Sequence, residues 1–495
     1  MKIGLALKHA SDPFTPLPLL CLKAALLDLG GWSDADVPLV ELPSQASVED
    51  MVERMLAVEP NVLGLSCYVW NVTSLLEAGR RVKALRPAVH VVLGGPEVGP
   101  QAADVLAAHP WVDAVVKNEG EFPIVDLANR WRTGAAIDDV AGIVMRDGDR
   151  IVDTGPERFV RDLNQLPSAY RDFGSYSYAG KYACIETQRG CVFACNFCFF
   201  NKDLPIRNRR FDAERVDQEI TYLLRQDIAH LYFMDPIFNL NVKRAKEICR
   251  VIIAQNDRRM AHGEPPVGSH AEMWAEFVDE ELAGLMRAAH FSYVELGLQT
   301  TDAATLVTVE RRLRMDQFVA GVQHLKKAGL YVEMHLIFGL PGDTLAKFRD
   351  SLNFAATMNP TDIGVFPLQV LPGTDLWTKG ESFGLSFDRE APHLLTSTAT
   401  LTPDDLAYGE RMVESVGPLW RSLAVRLLTR ESGLKFSDFV EGWVAWSEVH
   451  ANDVKDVTSL PAYVADFCAA RQIPSKLYLG VITVERRGHA VGTAA

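Results

Sequence analysis

Arg189-Gly190-Cys191-Val192-Phe193-Ala194-Cys195-Asn196-Phe197-Cys198-Phe199-Phe200 is the stretch on which the reading of the whole chain turns. Three cysteines spaced C-x3-C-x2-C, with no fourth close by, can put three thiolates around one corner of a cubane cluster and leave one metal without a protein ligand. That open metal is where chemistry could happen. A structural zinc site normally closes its tetrahedron with four Cys or His ligands, and no C-x2-C or H-x3-H partner follows nearby. Disulfides are open to any cysteine set, but three cysteines within eight residues crowd one another. A ferredoxin-type electron carrier would need a fourth cysteine, and the C-x2-C-x2-C-x3-C-P run is absent.

Outward from the motif, the chain has 495 residues, a length for about three domains, and 48% hydrophobic content is ample for several cores. A net charge of −14 without a basic run argues against a nucleic-acid partner. The apolar part of the first eight residues is too short for a signal peptide, and no apolar stretch approaches the roughly 18 residues of a membrane span. Of eight cysteines, Cys21, Cys67, Cys184, Cys249 and Cys468 are scattered in apolar settings and read as buried thiols of a cytoplasmic protein.

Upstream of the motif, short apolar runs at 2–7, 37–42, 62–68, 90–93 and 114–116 alternate with helical spacing at 17–29, 48–57, 72–85 and 102–108. This predicts a doubly wound βα domain over 1–134, which would bind a ligand at the carboxyl ends of its strands. Those ends carry Ser66-Cys67-Tyr68-Val69-Trp70-Asn71, Gly94-Gly95-Pro96-Glu97-Val98-Gly99 and Asn118-Glu119-Gly120-Glu121. Neither G-x-G-x-x-G nor a Walker A sequence is present, so nucleotide readings lose their main support. Residues 135–180 read as a linker with a hairpin signal at Asp147-Gly148. Downstream, strand-helix alternation resumes over 181–385, with strands expected at 183–186, 229–234, 267–271, 293–298, 331–338 and 363–371. Six units predict a partial (β/α)6 TIM-type barrel with its site at the strand C-termini, where the cysteine loop follows the first strand. The remainder, 386–495, reads as a small helical domain opening at the capping signature Thr402-Pro-Asp-Asp405. Placed after the last unit, it would close the barrel mouth.

The motif Cys191-x3-Cys195-x2-Cys198, with Phe197 before the last cysteine, resembles the cluster motif of radical S-adenosylmethionine (SAM) enzymes. Further strand ends match that pattern: Phe233-Met-Asp235, Ser269-His-Ala-Glu272, Glu295-Leu-Gly-Leu-Gln299-Thr300 with Arg311 or Arg312 following, and Phe338-Gly339-Leu-Pro-Gly-Asp343-Thr344. The resemblance implies that Cys191, Cys195 and Cys198 hold a [4Fe-4S] cluster whose fourth iron is chelated by SAM. It further implies that Phe197, Phe233, Asp235, Glu272, Glu295, Gln299, Arg311, Phe338 and Gly339 lie around SAM. Asp343 and Thr344 are expected as caps of the next helix. The N-terminal domain, with S-x-Y-x-W-N, G-G-P-E and E-G-E directly before the cysteine segment, resembles the cobalamin-binding domain of B12-dependent radical SAM enzymes. Without a D-x-H-x-x-G motif, this implies cobalamin bound without a protein histidine. Its contacts would be Ser66, Tyr68, Trp70, Asn71, Gly94, Gly95, Pro96, Glu97, Val98, Glu119, Gly120 and Glu121, with Trp70 against the lower face. The activity implied is C-methylation of an unactivated carbon of a small molecule, as in natural-product biosynthesis, the methyl passing from SAM through methylcobalamin. An external reductant of flavodoxin or ferredoxin type would supply electrons. A radical cyclase, ring-contraction or oxidation enzyme with the same cofactors is the alternative, and no catalytic residue or substrate can be named.

Overall fold

The computed structural model describes residues 1–156, 158–200 and 206–492. Its first sheet is built from β1 (Ile3–Lys8), β2 (Leu39–Leu42), β3 (Val62–Ser66), β4 (His90–Gly94) and β5 (Ala114–Val116), with β6 (Ile143–Asp147) and β7 (Arg150–Asp153) at one edge. The order is β2-β1-β3-β4-β5-β6-β7, parallel through β5 and antiparallel thereafter. Nearly unbroken burial along β1, β3 and β5 follows from helices on both faces. Met51, Met55 and Leu75 cover one face, against Leu63, Val91 and Leu93. Leu19, Leu26, Ile124 and Leu127 cover the other, against Ile3 and Leu5. The sheet reverses its strand order between β1 and β3, the crevice where doubly wound sheets take ligands.

The expected hairpin at Asp147-Gly148 forms, but its strands extend the first sheet, so the first part of 135–180 is sheet edge and not linker. Nor is the rest loose. Val160, Leu163, Leu166, Tyr170, Phe173 and Tyr178 are buried against the core of the second unit.

That unit starts at β8 (Tyr182–Ile185). A ribbon of two short strands, β9 (Gln188–Arg189) and β10 (Arg209–Arg210), follows it, and then come β11 (His230–Phe233), β12 (Gly268–Met273), β13 (Phe291–Gln299), β14 (Val332–Phe338) and β15 (Asp362–Pro367). The six long strands form one parallel sheet in sequential order, β8 to β15, with the ends unpaired to each other: a partial barrel. On β13 from Tyr293 onward, and along all of β14, burial alternates. Val294, Leu296, Leu298, Val332, Met334 and Leu336 face outward into the helix-packed core. Tyr293, Glu295, Glu333 and His335 take the opposite parity and line the interior. That interior is polar, where a closed barrel of this type is filled with branched apolar side chains.

The free edge of β8 is bonded by the first domain: Tyr182 N–H donates to Pro13 O at 3.1 Å and Thr15 N–H to Tyr182 O at 3.0 Å. The opposite edge lies beneath the helix Pro403–Trp420, which begins with the expected capping box, Thr402 and Asp405 reciprocally bonded. Its Gly409 lies against the Phe338 ring, where a Cβ would collide. Trp420 and Trp443 are fully buried, and each indole donates to a backbone carbonyl. The helix Pro403–Trp420 therefore packs on the outside of β14 and β15, and the later helices pack on it and on the helix Leu345–Met358, sharing one core with the barrel. The mouth is covered instead by 368–401: Leu368, Val370, Leu376 and Leu385 form a small cluster with Phe197, Val309 and Ile337.

Candidate functional site

The cysteine loop leaves the barrel through a neck two residues wide. Across β9 and β10, Arg189 is directly opposite Arg209. Gly190 has φ +82°, and a side chain there would strike the Arg207 carbonyl, so only glycine lets the ribbon turn into the loop. Beyond the neck, Cys195 is buried and Cys191 and Cys198 are half-buried. Burial pushes the Cys198 thiol up to about 11 and raises Cys191, and the neighbouring sulfurs add to both. An iron cluster reverses that balance, because bound metal charge deprotonates thiols. Among the described residues no three His, Cys, Asp or Glu side chains converge on a single metal ion. A cubane asks for one thiolate at each of three irons, so it does not require such convergence.

The strand ends around the loop divide by parity. Arg311, whose guanidinium donates to Gly297 O, lies 3.9 Å from Cys195 Sγ and over the Trp274 ring, which stacks on Phe193 of the loop. Gln299, at φ +66° beside a bulge in β13, keeps its Oε1 buried without a partner, as does Nε of Arg311. Two orphaned polar atoms beside the end of β13, one on its last residue and one on the connection that follows, fit a polar ligand such as SAM. Gly339, at φ +92°, donates its N–H to Asp343. Asp343 is thus a brace of the strand-end turn, not a helix cap; Thr344 takes the cap and accepts from Lys347 N–H at 3.2 Å. Phe197 joins the cluster of 368–401.

Three of the residues expected around SAM are turned into protein. Phe233 and Phe338 are the last residues of β11 and β14 and point outward, Phe233 against Phe238 and Phe291, Phe338 against Phe348 and Gly409. Asp235 is buried and accepts from Thr187 N–H, Thr187 Oγ1 and Gln188 N–H, fixing the approach to the neck. Burial pushes its carboxyl up to about 7 against those three donors.

Sequence reasoning named Glu272 and Glu295 but missed the interior residues around them. Counting by twos back from the strand ends finds the set: Tyr232 on β11, His270 and Glu272 on β12, Glu295 on β13, Glu333 and His335 on β14. His270 Nε2 lies 3.0 Å from Glu295 Oε1, and His335 Nε2 lies 3.1 Å from Glu333 Oε1. Burial pushes Glu272 up to about 7; the Glu295 charge adds to this and His335 opposes it. The reverse holds for its partners: burial would favour a charged Glu295 less and a protonated His335 less, but the bonds from His270 and to Glu333 outweigh it, lowering Glu295 and raising His335.

At the first sheet, Tyr68 and Trp70 stack at 4.4 Å, and Trp70 remains half exposed at the strand-end crevice with Gly94, Gly95 and Pro96. These, with Ser66, are the candidates left facing a corrin. Asn71 is buried, its amide donating to Lys8 O and Ser66 O, so it ties β1 to β3. Gly95 is glycine because a side chain would collide with the Cys67 carbonyl. Val98 is core. The three strand-end carboxylates are all committed to the second unit. Glu97, 4% exposed, lies 2.7 Å from Nε2 of the buried His393. Glu121 accepts from Arg189 at 2.6 Å, and Glu119 accepts from Arg189 at 3.2 Å and from both terminal nitrogens of Arg209 at 2.9 and 2.7 Å. The cysteine loop therefore stands between the strand ends of both sheets, and Gly373 of the covering segment touches both Pro100 and Phe199.

Residues 185–355 match the family model of the Radical SAM superfamily, and residues 5–128 that of the B12 binding domain. The 2-(S-pantetheinyl)-carbapenam-3-carboxylate methyltransferase of Streptantibioticus cattleyicolor is 29% identical over 424 residues, 82% of this chain and 61% of that protein. This chain thus spans about three fifths of that relative's length. The anaerobic magnesium-protoporphyrin IX monomethyl ester cyclase of Rubrivivax gelatinosus is 26% identical over 401 residues, 78% of this chain and 70% of that one. In fold, the chain is similar to TsrM from Kitasatospora setae, a radical S-adenosylmethionine methyltransferase solved with cobalamin and a [4Fe-4S] cluster bound. The TM-score is 0.65 at 20% identity, over 79% of this chain and 81% of that one.

Proposed function

We propose that this protein, a cobalamin-dependent radical SAM enzyme by its two domains and their order, transfers a methyl group from SAM to an unactivated carbon of a small molecule. The observation that carries the reading is the cysteine loop held between the strand ends of a B12 binding domain and a partial barrel. Cys191, Cys195 and Cys198 would hold the [4Fe-4S] cluster, and Gln299, Arg311, Glu272, Glu295 and Gly339 would surround SAM. Tyr68, Trp70 and the Gly94-Gly95-Pro96 turn would face cobalamin. When bound, these groups supply a reductively generated 5′-deoxyadenosyl radical and a methyl relay.

The chain's own part is placement and exclusion. Arg311 offers its cation beside Cys195, where an anionic cluster or a carboxylate would sit. Residues 368–401 cover the mouth with apolar side chains and keep water from the strand ends. Interior carboxylates and histidines give the substrate cavity hydrogen-bonding groups that a closed barrel would lack. The reductant would be an external flavodoxin- or ferredoxin-type protein. Among the described residues no helix is long and apolar enough to cross a membrane, and a cytoplasmic location is part of this proposal.

Anaerobic turnover with methyl-labelled SAM, followed by product mass, tests the reading. Gain of one labelled methyl is the expected result. Cleavage of SAM with an unlabelled, altered product would replace it with the non-methylating reading, for which similarity to the cyclase speaks.

A further inference from the structure

We propose that Glu119 is the counter-charge that closes the neck of the cysteine loop, so that the cobalamin domain completes the cluster site of the barrel. This rests on the reading that the loop carries a cluster. The neck presents a difficulty in its own sequence: Arg189 and Arg209 occupy directly opposed positions of a two-residue antiparallel ribbon. Like charges so placed repel, and two hydrogen-bonded residues per strand cannot hold them together. Both are largely withdrawn from water, Arg209 to 2% exposure, so hydration does not relieve them. Glu119 does, by standing between them. Arg209 grips it end-on with its two terminal nitrogens, a bidentate fork for a carboxylate, and Arg189 reaches one of the same two oxygens.

The neighbouring contacts all serve this one junction. Glu121 and Glu186 take the remaining nitrogens of Arg189 at 2.6 and 3.0 Å. Arg209 also donates to Val160 O at 2.5 Å, and its guanidinium lies 4.7 Å over the Phe159 ring. Asn208 donates to Gly190 O at 3.1 Å, across the base of the loop. Burial alone would raise the Glu119 carboxyl, but the two arginines hold it below the usual range, so it is an anion at neutral pH. Glu119 lies in the loop after β5 of the first domain and Glu121 opens the helix Glu121–Thr133, whereas Arg189 and Arg209 bracket the loop of the second. The two carboxylates of E-G-E therefore act as positioning residues for the cluster loop and not as contacts to the corrin.

The test uses the full chain loaded anaerobically with cluster and cobalamin, as wild type, Glu119→Gln and the double variant Glu119→Gln/Arg209→Met. Three quantities are read: cobalamin bound per chain, the rate at which a ferrous chelator strips iron, and the electron paramagnetic resonance signal of the reduced cluster. Glu119→Gln is expected to keep wild-type cobalamin and lose iron about tenfold faster or more, since a hydrogen-bonded buried charge is left without its partner. The double variant removes the uncompensated cation and is expected to recover at least about threefold of that loss. An iron-loss rate equal to wild type overturns the proposal. So does loss of cobalamin with the cluster unaffected, which would make Glu119 a corrin contact. If Glu119→Gln does not fold, Glu119→Asp, too short to span both arginines, is read in the same way. Limited proteolysis of the cluster-free chains between residues 190 and 208 separates the two premises. Faster cleavage in Glu119→Gln with a wild type that takes up no cluster supports the neck and removes the cluster reading. Equal cleavage overturns the neck.

Discussion

Glu272 lies on the interior face of β12, open to the barrel cavity, and crowding by the barrel wall together with the Glu295 charge pushes its carboxyl up from the ordinary 4.5 to about 7. A cationic ligand at the strand ends therefore meets a neutral group below that pH and a carboxylate above it. SAM, with an ammonium and a sulfonium, should bind more tightly as pH rises from about 6 to about 7.5, by at most about tenfold per unit. Glu272→Gln should flatten the profile, as read by anaerobic equilibrium dialysis. In the ligand-free chain the sign reverses. The unfolded carboxyl ionises first, so the Glu272 contribution to stability falls as pH rises from 4.5 toward about 7.

At the same scale, spacing within a few residues made the three cysteines legible, and motif order made Gln299 and Arg311 legible. The strand-end carboxylates were legible as functional positions, but their partners were not. Glu97 finds His393 across 296 residues and Glu119 finds Arg209 across 90, distances over which no local pattern runs. Phe233 and Phe338 were named as strand-end residues only, and the rings of both pack into the protein, because a strand's last residue turns in or out by parity.

Among elements, the contact between the helix Pro403–Trp420 and β14 carries the next prediction. Gly409 admits the Phe338 ring, and Phe338 directly precedes Gly339 at the turn proposed to face SAM. Gly409→Ala should cost about 1–3 kcal/mol of stability by overpacking and weaken SAM binding from outside the site. Gly409→Ala/Phe338→Leu should regain much of both, measured by denaturant midpoint and dialysis. The capping box at Thr402 and the hairpin at Asp147-Gly148 could be read from the sequence because their physics is local. That the hairpin joins the first sheet could not, because edge pairing with β5 is a tertiary choice. The interior of the barrel was hidden for the same reason: the His and Glu of β12 to β14 become a lining only once six strands curve together.

For the molecule as a whole, the covering segment 368–401 is pinned to the cobalamin domain through His393 and Glu97, both nearly inaccessible to water. His393→Ala would leave Glu97 buried without its partner, at about 1–3 kcal/mol. Calorimetry should then show the wild-type endotherm split, with the first domain melting earlier, whereas His393→Gln, which keeps a donor, should retain most of the coupling. The division into a doubly wound domain and a barrel was apparent from strand-helix rhythm alone. That the helical region would lie beside the barrel while 368–401 packs against the cysteine loop was not, because the short helix Asp375–Lys379 and the ribbon of Leu385–Phe387 with Leu395–Thr398 are too brief to show a period.

The backbone bonds between residues 13–15 and β8 bear on what each half could be without the other. An open parallel sheet must leave two rims, and here one rim is hydrogen-bonded by a passing stretch of the neighbouring domain. A chain beginning near residue 181 would carry that rim bare, as a row of unsatisfied amides and carbonyls inviting a second molecule to add its own strand. The N-terminal domain is in this sense an intramolecular guard against self-association. Separating the halves would turn a rim guarded within one chain into an adhesive one.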